Sequence, residues 1–307
     1  MSGPSPSPTS SPATRLLPFA AAAAGVGLLS LMDAFMKEGA LVTGAYTATV
    51  LRSLMGASMI APFWLWLKRG WPTRAVLKLH LERGVISAFM ALSFFFALTR
   101  LPLAEAIAIS FIAPLIALYL ARVLLGEVIQ PKAIFASILG FLGTLVIVGG
   151  RIGTGEMDTD TALGIAALLF SAMLYAYNFI VIRRQAQLAG PLEIATFHSG
   201  VGGMVLLLFA PFMGTVPVQE ALLPIAAAAL LTVTGAMAIA WAYARAEAQA
   251  LVPIEYSGFL WASLFGWAFF REAVTLPTLL GTALIVTGCW LAARKPARSH
   301  AAETSSA

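Results

Sequence analysis

Long apolar runs, separated only by short polar connections, recur from one end of the chain to the other. A helix rises about 1.5 Å per residue, so roughly 20 apolar residues cross a hydrocarbon layer about 30 Å thick. Apolar residues make up 60% of the 307 positions and charged residues only 11%. Ten such spans use nearly the whole chain. The sequence therefore predicts an all-α integral membrane protein with no room for a sizeable soluble domain.

The ten predicted spans fall into two sets of five. The first set covers residues 16–38, 44–67, 80–99, 103–125 and 132–150, and the second covers residues 162–182, 191–213, 220–243, 252–270 and 275–293. The domain prediction is a disordered tail (1–14), a first five-helix repeat (15–150), a connecting loop (151–161), a second repeat (162–294) and a cytoplasmic tail (295–307).

The basic residues indicate how the spans are oriented. Of the 19 Lys and Arg residues, only Lys37, Arg100, Arg151 and Arg271 would lie on the outer side and Arg52 inside a span, which leaves fourteen on the inner side. Such a bias predicts that both termini face the cytoplasm. Because these residues flank apolar runs instead of clustering on a soluble face, the net charge of +5 does not point to nucleic acid as a partner.

The two sets of spans are related by a nearly constant offset. A shift of 145 positions (245 minus 100) places Arg100 on Arg245, Glu127 on Glu272, Gly143 on Gly288 and Asp33 on Asn178. A shift of 146 (198 minus 52) places Arg52, Ser53 and Gly56 on His198, Ser199 and Gly202. One offset through both halves indicates a duplication. Because each copy has an odd number of spans, the second is expected to enter the membrane from the opposite side, as inverted repeats do.

The order of motifs in each half resembles a known family. Residues from Pro114 through Gly126 and Glu127 to Gly140, Gly143 and the run 145–148 resemble the repeat signature of the EamA-type drug/metabolite transporter superfamily. The second copy runs through Pro253, Tyr256, Trp261, Gly266, Phe270, Glu272, Gly281 and Gly288. It departs from the first in having Arg271 in place of Gly126 and Phe259 in place of Pro114.

This resemblance covers nearly all of the chain after residue 15 and is greatest to the bacterial branch that exports aromatic amino acids and other metabolites. It implies two inverted repeats around a central cavity, in the bacterial inner membrane, with no cofactor. The expected partners are the lipid bilayer and a small organic substrate, with aromatic amino acids and amphiphilic cations as candidates.

Ionisable residues deep inside predicted spans are candidates for function, because a charge in hydrocarbon is costly unless it faces a cavity or a partner. Asp33 and Arg52 fall in the outer half, whereas Asn178, His198 and Glu255 fall in the inner half. We hypothesise two polar clusters that flank the cavity and close or hydrate in turn. The alternative is that Asp33 and Arg52 form a permanent buried pair that only fixes helix register.

Proton coupling is a further hypothesis for the inner cluster. His198 is the only histidine deep within a predicted span, and histidine titrates near physiological pH. Glu255 could act in the same way, and the alternative for His198 is an ordinary hydrogen bond within the bundle. Glu105, Glu127 and Glu272 lie near span ends, where a structural role is expected.

Several aromatic and thioether side chains lie on spans that the resembled fold places around its cavity. Rings and thioethers offer apolar, polarisable contact that suits flat organic substrates, although lipid contact is the alternative for each residue. The predicted cavity residues are Met32, Met36, Phe94, Phe95, Tyr175, Trp241, Tyr256 and Trp261. Gly140, Gly143, Gly281 and Gly288 instead predict close helix packing in the fifth and tenth spans.

Competing functions lack their motifs. The glycines at 153 and 155 are not followed by the Gly-Lys-Ser/Thr of a phosphate-binding loop, and no HExxH motif, paired intramembrane aspartates or nucleophile elbow occurs. No catalytic or metal-binding residue is predicted. The sequence therefore favours a secondary transporter of small amphiphilic metabolites, and the family resemblance alone implies that it is an exporter. A channel or membrane scaffold is the main alternative, and an intramembrane lipid-modifying enzyme is a weaker one.

Overall fold

The computed structural model describes residues 12–67, 70–125, 131–153, 157–186, 188–243, 245, 254 and 256–293. Within these ranges all regular secondary structure is helical, in agreement with the predicted class. The described helices are α1 (Pro12–Thr43), α2 (Ala45–Leu67), α3 (Arg74–Leu98), α4 (Leu103–Ser110), α5 (Ala113–Leu125), α6 (Pro131–Gly153), α7 (Thr159–Ala186), α8 (Pro191–Leu207), α9 (Ala210–Met213), α10 (Gln219–Tyr243), α11 (Gly258–Phe270) and α12 (Leu276–Ala293).

Among the described residues, six segments are long and apolar enough to cross a membrane, judged by length and composition. They correspond to the first, second, third, fourth, sixth and eighth predicted spans. Shorter apolar helices stand at the fifth, ninth and tenth predicted spans, over residues 138–150, 258–270 and 276–288. The described helices therefore agree with a multi-pass membrane protein.

The first helix is longer than predicted. α1 continues to Thr43, past the expected end at Glu38, and Gly44 then adopts a positive φ of 86° that lets α2 begin at Ala45. Only glycine adopts this backbone conformation without steric cost. Lys37, which the sequence analysis placed among outer-side charges, is consequently inside the bundle, with 5% of its surface exposed.

Other predicted borders also shift. α1 begins at Pro12, inside the tail that was predicted to be disordered to residue 14. The predicted connecting loop 151–161 is shortened from both sides, because α6 runs to Gly153 and α7 starts at Thr159. The remainder of the predicted tail, the 295–307 tail, Glu127 and Pro253 lie outside the described residues.

The fourth predicted span is divided into two helices. α4 ends at Ser110 and α5 begins at Ala113, with a turn at Phe111 and Ile112. Pro114 has no backbone N–H, so the carbonyl of Ser110 loses the helical partner it would otherwise have. The break therefore follows from the sequence, which already contained this proline.

Helices of the first half pack in antiparallel pairs with helices of the second half. Along α1 and α10, a Cβ placed on Gly25 would meet Ile239 at 2.7 Å, and one on Gly39 would meet Ile225 at 2.7 Å. Larger residues at these glycines would therefore separate the two helices. α3 pairs in the same way with α7, α2 with α8, and α6 with α12.

The α6–α12 contact depends on glycine, as predicted for Gly143 and Gly281. A Cβ on Gly143 would lie 2.5 Å from the carbonyl oxygen of Gly281, and one on Gly281 would lie 2.4 Å from Ile147. The backbones therefore pack directly on each other. Gly140 instead faces Leu115 of α5.

Two ends of the bundle are used as reference points below. The Lys37 end contains the last turns of α1 and α11 and the start of α4, and the His80 end contains the first turns of α3 and α8 and the last turn of α7. Because paired helices are antiparallel, the last turn of one helix lies beside the first turn of its partner.

Candidate functional site

Arg52 and His198 occupy matched positions on two helices that pack together. Arg52 lies seven residues after the start of α2 at Ala45 (52 minus 45), and His198 lies seven after the start of α8 at Pro191 (198 minus 191). The helical rise places each about 10 Å from its own helix start. Because α2 starts at the Lys37 end and α8 at the His80 end, the two side chains approach the middle of the bundle from opposite sides.

Small residues let these two helices approach closely. A Cβ on Gly203 would lie 3.4 Å from Cβ of Ser53, and one on Gly56 would lie 3.5 Å from Oγ of Ser199. The predicted repeat aligns Ser53 with Ser199, so each helix contributes a serine from the equivalent position to this contact. This packing brings Arg52 and His198 within electrostatic reach of each other.

Asp33 of α1 belongs to the same charged group. It is buried and interacts electrostatically with Arg52, which in turn acts on His198. Among the described residues, however, the ion pairs join other side chains, so Asp33 and Arg52 are not in salt-bridge contact. The direct pair considered as an alternative from the sequence is thus not formed here.

Three buried polar atoms on α2, α3 and α8 have no hydrogen-bond partner among the described residues: Nε of Arg52, Oγ of Ser87 and Nδ1 of His198. The three helices pack on one another in every combination. Most buried polar atoms in proteins are satisfied, so unsatisfied atoms on three helices that pack together point to a place where a ligand or water supplies the partner. Sequence reasoning had identified Arg52 and His198 but not Ser87.

Two predicted cavity residues adjoin this charged group. The guanidinium carbon of Arg52 lies 5.3 Å from the ring centroid of Phe95, which is a cation–π distance. Phe94 packs against Phe95 edge to face, with centroids 5.5 Å apart. Arg52 therefore rests on an aromatic surface at one side.

The predicted aromatic residues of the ninth span lie around the start of α11. Trp261 is packed so closely on α1 that a Cβ on Gly27 would meet its ring at 3.0 Å, and it stacks on Phe265. Tyr256 meets Phe111 edge to face at 5.3 Å. The break between α4 and α5 therefore faces the segment that leads into α11.

The other predicted site residues have different environments. Met36 is fully buried in the main apolar core, and Met32 packs partly buried against that core. Tyr175 is 44% exposed and interacts electrostatically with Arg83, which connects it to the central charges. Trp241 is 39% exposed at its place on α10, with Arg245 over its ring. Glu255 lies outside the described residues.

A buried ion pair lies at the Lys37 end of the bundle. Lys37 binds the Glu272 carboxylate and donates a hydrogen bond of 2.7 Å to the carbonyl of Leu101. Oε2 of Glu272 accepts a 2.7 Å hydrogen bond from the backbone N–H of Leu103 at the start of α4. The Glu272 carboxylate thus connects α1 and α4 to the segment that follows α11.

A network of side-chain contacts around His80 lies at the His80 end of the bundle. His80 contacts Glu193 at 3.0 Å and Gln185 at 2.6 Å, and its ring stacks on Phe197 at 4.4 Å. This network connects the first turns of α3 and α8 to the last turn of α7. His80 is therefore a further buried histidine, with 1% of its surface exposed.

Asn178, predicted for the inner polar cluster, is buried beside that network. Arg83 donates to its side-chain oxygen at 3.3 Å and to Gln185 at 2.8 Å. Arg83 and Arg52 both act electrostatically on His198. The grouping of these residues into two polar clusters stays a prediction.

Sequence reasoning missed Lys37 and His80 because both stood at the edges of predicted spans. A usable signal existed for Lys37, since it follows Asp33 by four residues and so lies on the same helix face. Glu272 was identified through its match with Glu127, but not its partner. No group of three His, Cys, Asp or Glu side chains suited to a metal occurs in the described part of the chain.

Comparison with known proteins identifies two copies of one sequence family. A model of the EamA-like transporter family matches residues 16–149 and again residues 162–294. These ranges coincide with the two halves inferred from the offset in the sequence, so the repetition is confirmed.

Named relatives are transporters of several kinds. The pseudopaline exporter CntI of Pseudomonas aeruginosa is 27% identical over 265 residues, which cover 85% of this chain and 90% of that exporter. A riboflavin transporter of Rhizobium johnstonii is 28% identical over 218 residues, covering 68% of this chain and 67% of the relative. An uncharacterized transporter of Archaeoglobus fulgidus is 26% identical, covering 81% and 87%. The family and these names point to transport and not to enzymatic catalysis.

A solved crystal structure shares the fold. It superposes with a TM-score of 0.60 at 20% sequence identity, and the alignment covers 88% of this chain and 94% of the other. At this identity the likeness concerns the fold alone.

Proposed function

The chain belongs to the EamA-like transporter family, and from this premise we propose that it is a secondary transporter that moves small amphiphilic metabolites by alternating access. The observation that carries the proposal is the central group of Asp33, Arg52 and His198, three ionisable side chains inside the bundle that make no direct ion pair with one another. Ionisable side chains inside a membrane bundle mark a substrate or ion pathway.

Alternating access requires two related halves of opposite orientation, and we propose ten spans arranged as two inverted five-helix repeats. The helix contacts support this arrangement. Gly39 meets Ile225 between α1 and α10, and the shift of 145 converts these positions to 184 and 80, next to the observed contact of Gln185 with His80. Contacts within one pair of helices thus reappear in the corresponding pair.

The direction of the helices supports inversion. α1 ends at the Lys37 end, whereas α7, its counterpart in the second half, begins there, since Asp160 pairs with Arg100 at 3.5 Å just after α3. Two gates follow from this geometry. Breaking the Lys37–Glu272 contact would open one end of the bundle, and breaking the His80–Glu193 contact would open the other. The central polar side chains would then be exposed to each side of the membrane in turn.

The proposed substrates are small amphiphilic metabolites, namely amino acids including aromatic ones, which are moved outward across the bacterial inner membrane with both termini cytoplasmic. Support comes from Phe94 and Phe95 beside Arg52, and from relatives that are named for pseudopaline export and riboflavin transport. The cytoplasmic termini rest on the distribution of Lys and Arg. Proton coupling through His198 belongs to the same proposal.

Counterflow into proteoliposomes tests the proposal. The purified chain is reconstituted and loaded with a panel of unlabelled amino acids and amphiphilic cations, and uptake of each labelled compound is followed with and without a pH gradient. A carrier gives saturable uptake that analogues compete for and that preloading accelerates. Linear uptake without saturation would identify a channel, and no uptake of any compound would favour a scaffold.

The Arg52→Gln variant then tests the central site. It keeps the side chain long and polar but removes the charge. We expect uptake to fall by at least about tenfold, because the central site can no longer make a charge-assisted contact with a substrate. Normal transport by a variant that remains monodisperse and melts like the parent would remove Arg52 from the mechanism.

A further inference from the structure

The unsatisfied atoms around Arg52 suggest what chemical group the site accepts. We infer that Arg52 and His198 bind a carboxylate of the transported molecule, an inference that rests on the proposed transport function. The observations are the Nε of Arg52 and the Nδ1 of His198, which have no hydrogen-bond partner among the described residues, and the lack of an ion pair between Arg52 and Asp33.

The geometry of the guanidinium favours a planar anion. Arginine presents N–H donors in a rigid fork that matches the two oxygens of a carboxylate. The Phe95 ring lies beside the guanidinium at 5.3 Å and supplies an apolar surface for the rest of the ligand. The His198 imidazole can donate one further hydrogen bond to the same anion when Nδ1 carries a proton.

The neighbouring cation does not compete for this role. Arg83 also acts electrostatically on His198, but its donors are engaged by Asn178 at 3.3 Å and by Gln185 at 2.8 Å. Arg83 is therefore held as part of the His80 end. Arg52 makes no such side-chain contact in the described part of the structure, so it is the cation available to a ligand.

Asp33 sets the direction in which a substitution should change carboxylate binding. It interacts electrostatically with Arg52, so an incoming carboxylate must bind Arg52 against repulsion from the Asp33 carboxylate. Removing the charge with Asp33→Asn should therefore strengthen the binding of a simple carboxylate by a few-fold or more. If Asp33 served only to hold Arg52 in place, the same change would weaken binding.

The test is equilibrium binding to the purified full chain in nanodiscs. The probes are matched triplets built on phenyl, indolyl and branched aliphatic groups, each as the carboxylate, the primary amide and the amine. We expect the carboxylate of at least one triplet to bind at least about tenfold more tightly than its amide. Arg52→Gln should abolish that preference, and Arg52→Lys should keep part of it.

The control is Arg271→Gln, since Arg271 is exposed at the Lys37 end and lies over Trp267. It removes one positive charge of the same type and should leave the preference unchanged. Melting temperature and gel filtration establish that each variant is folded. Should Arg52→Gln fail these criteria, the Asp33→Asn variant and the Arg52→Lys variant decide the question.

Several outcomes overturn the inference. Equal binding of carboxylates and amides would do so, as would a preference that survives in Arg52→Gln, or the absence of any carboxylate binding. Sodium benzoate and sodium phosphate are tested as separate competitors, and equal displacement by phosphate would show a general anion site instead. Saturable counterflow of the amines with no carboxylate preference would refute this site while leaving the transporter proposal intact.

Discussion

The ion pair at the Lys37 end offers the sharpest test of how this bundle is held together. Lys37 and Glu272 are far apart in the sequence, and their side chains are 6% and 18% exposed. The perturbation is a double-mutant cycle of Lys37→Met, Glu272→Gln and the double variant. Each substitution keeps the approximate length of the side chain while it removes the charge.

The structure sets the expected magnitudes. Removing one partner leaves a buried charge, which costs about 3–5 kcal/mol. In Glu272→Gln, Lys37 keeps its 2.7 Å hydrogen bond to Leu101, and the glutamine can still accept a hydrogen bond from the Leu103 N–H. In Lys37→Met, Glu272 keeps its hydrogen bond from the Leu103 N–H. The free energy of unfolding of each single variant should therefore fall by an amount near the lower value. The double variant has no uncompensated charge and should lose about as much as one single variant. The coupling free energy is then about 2–3 kcal/mol.

The assay is reversible unfolding in mixed detergent micelles, followed by tryptophan fluorescence. Additive losses in the double variant would refute the reasoning, because they would mean that the two charges do not depend on each other in the folded protein. In proteoliposomes the single variants should also change the counterflow rate, since the pair holds one proposed gate. A matched control is Arg271→Gln, which removes an exposed charge at the same end.

Two further predictions concern packing. Gly143→Ala should lose about 1–3 kcal/mol in the same assay, because its Cβ would meet the Gly281 carbonyl oxygen at 2.5 Å, whereas Gly149→Ala on the same helix faces open space and should be neutral or slightly stabilising. Equal losses at both glycines would contradict the close α6–α12 contact. His80→Ala should lose about 2–4 kcal/mol through its hydrogen bonds and ring stack, and His80→Phe should regain part of this, while an unchanged melting temperature in His80→Ala would show that the network is dispensable.

Much of the architecture was predictable because its causes are local. Apolar run length fixes where a chain can cross a membrane, and Pro114 fixes where the fourth span breaks. Gly143 and Gly281 were predicted to pack closely, and the structure places them in contact. The end of α1 was missed because Lys37 and Glu38 resemble a span border in sequence.

The site was predictable only in part. Asp33, Arg52 and His198 stood out because charge is rare within apolar runs. Their mutual arrangement was not predictable, since side chains one residue apart on a helix point about 100° apart and the rotation of each helix is set by its neighbours. The direct Asp33–Arg52 pair was therefore only an alternative from the sequence, and the two side chains are not in ion-pair contact in the described structure.

The sequence by itself determined that this protein is helical, that it lies in a membrane and that it carries one family signature twice, because each of these follows from residue type along a single segment. Only the tertiary structure decided that Lys37 meets Glu272, that His80 is buried and that Arg52 rests on Phe95. Those contacts join helices far apart in the chain, and a polar side chain in a bundle takes its meaning from the partner that packing brings to it.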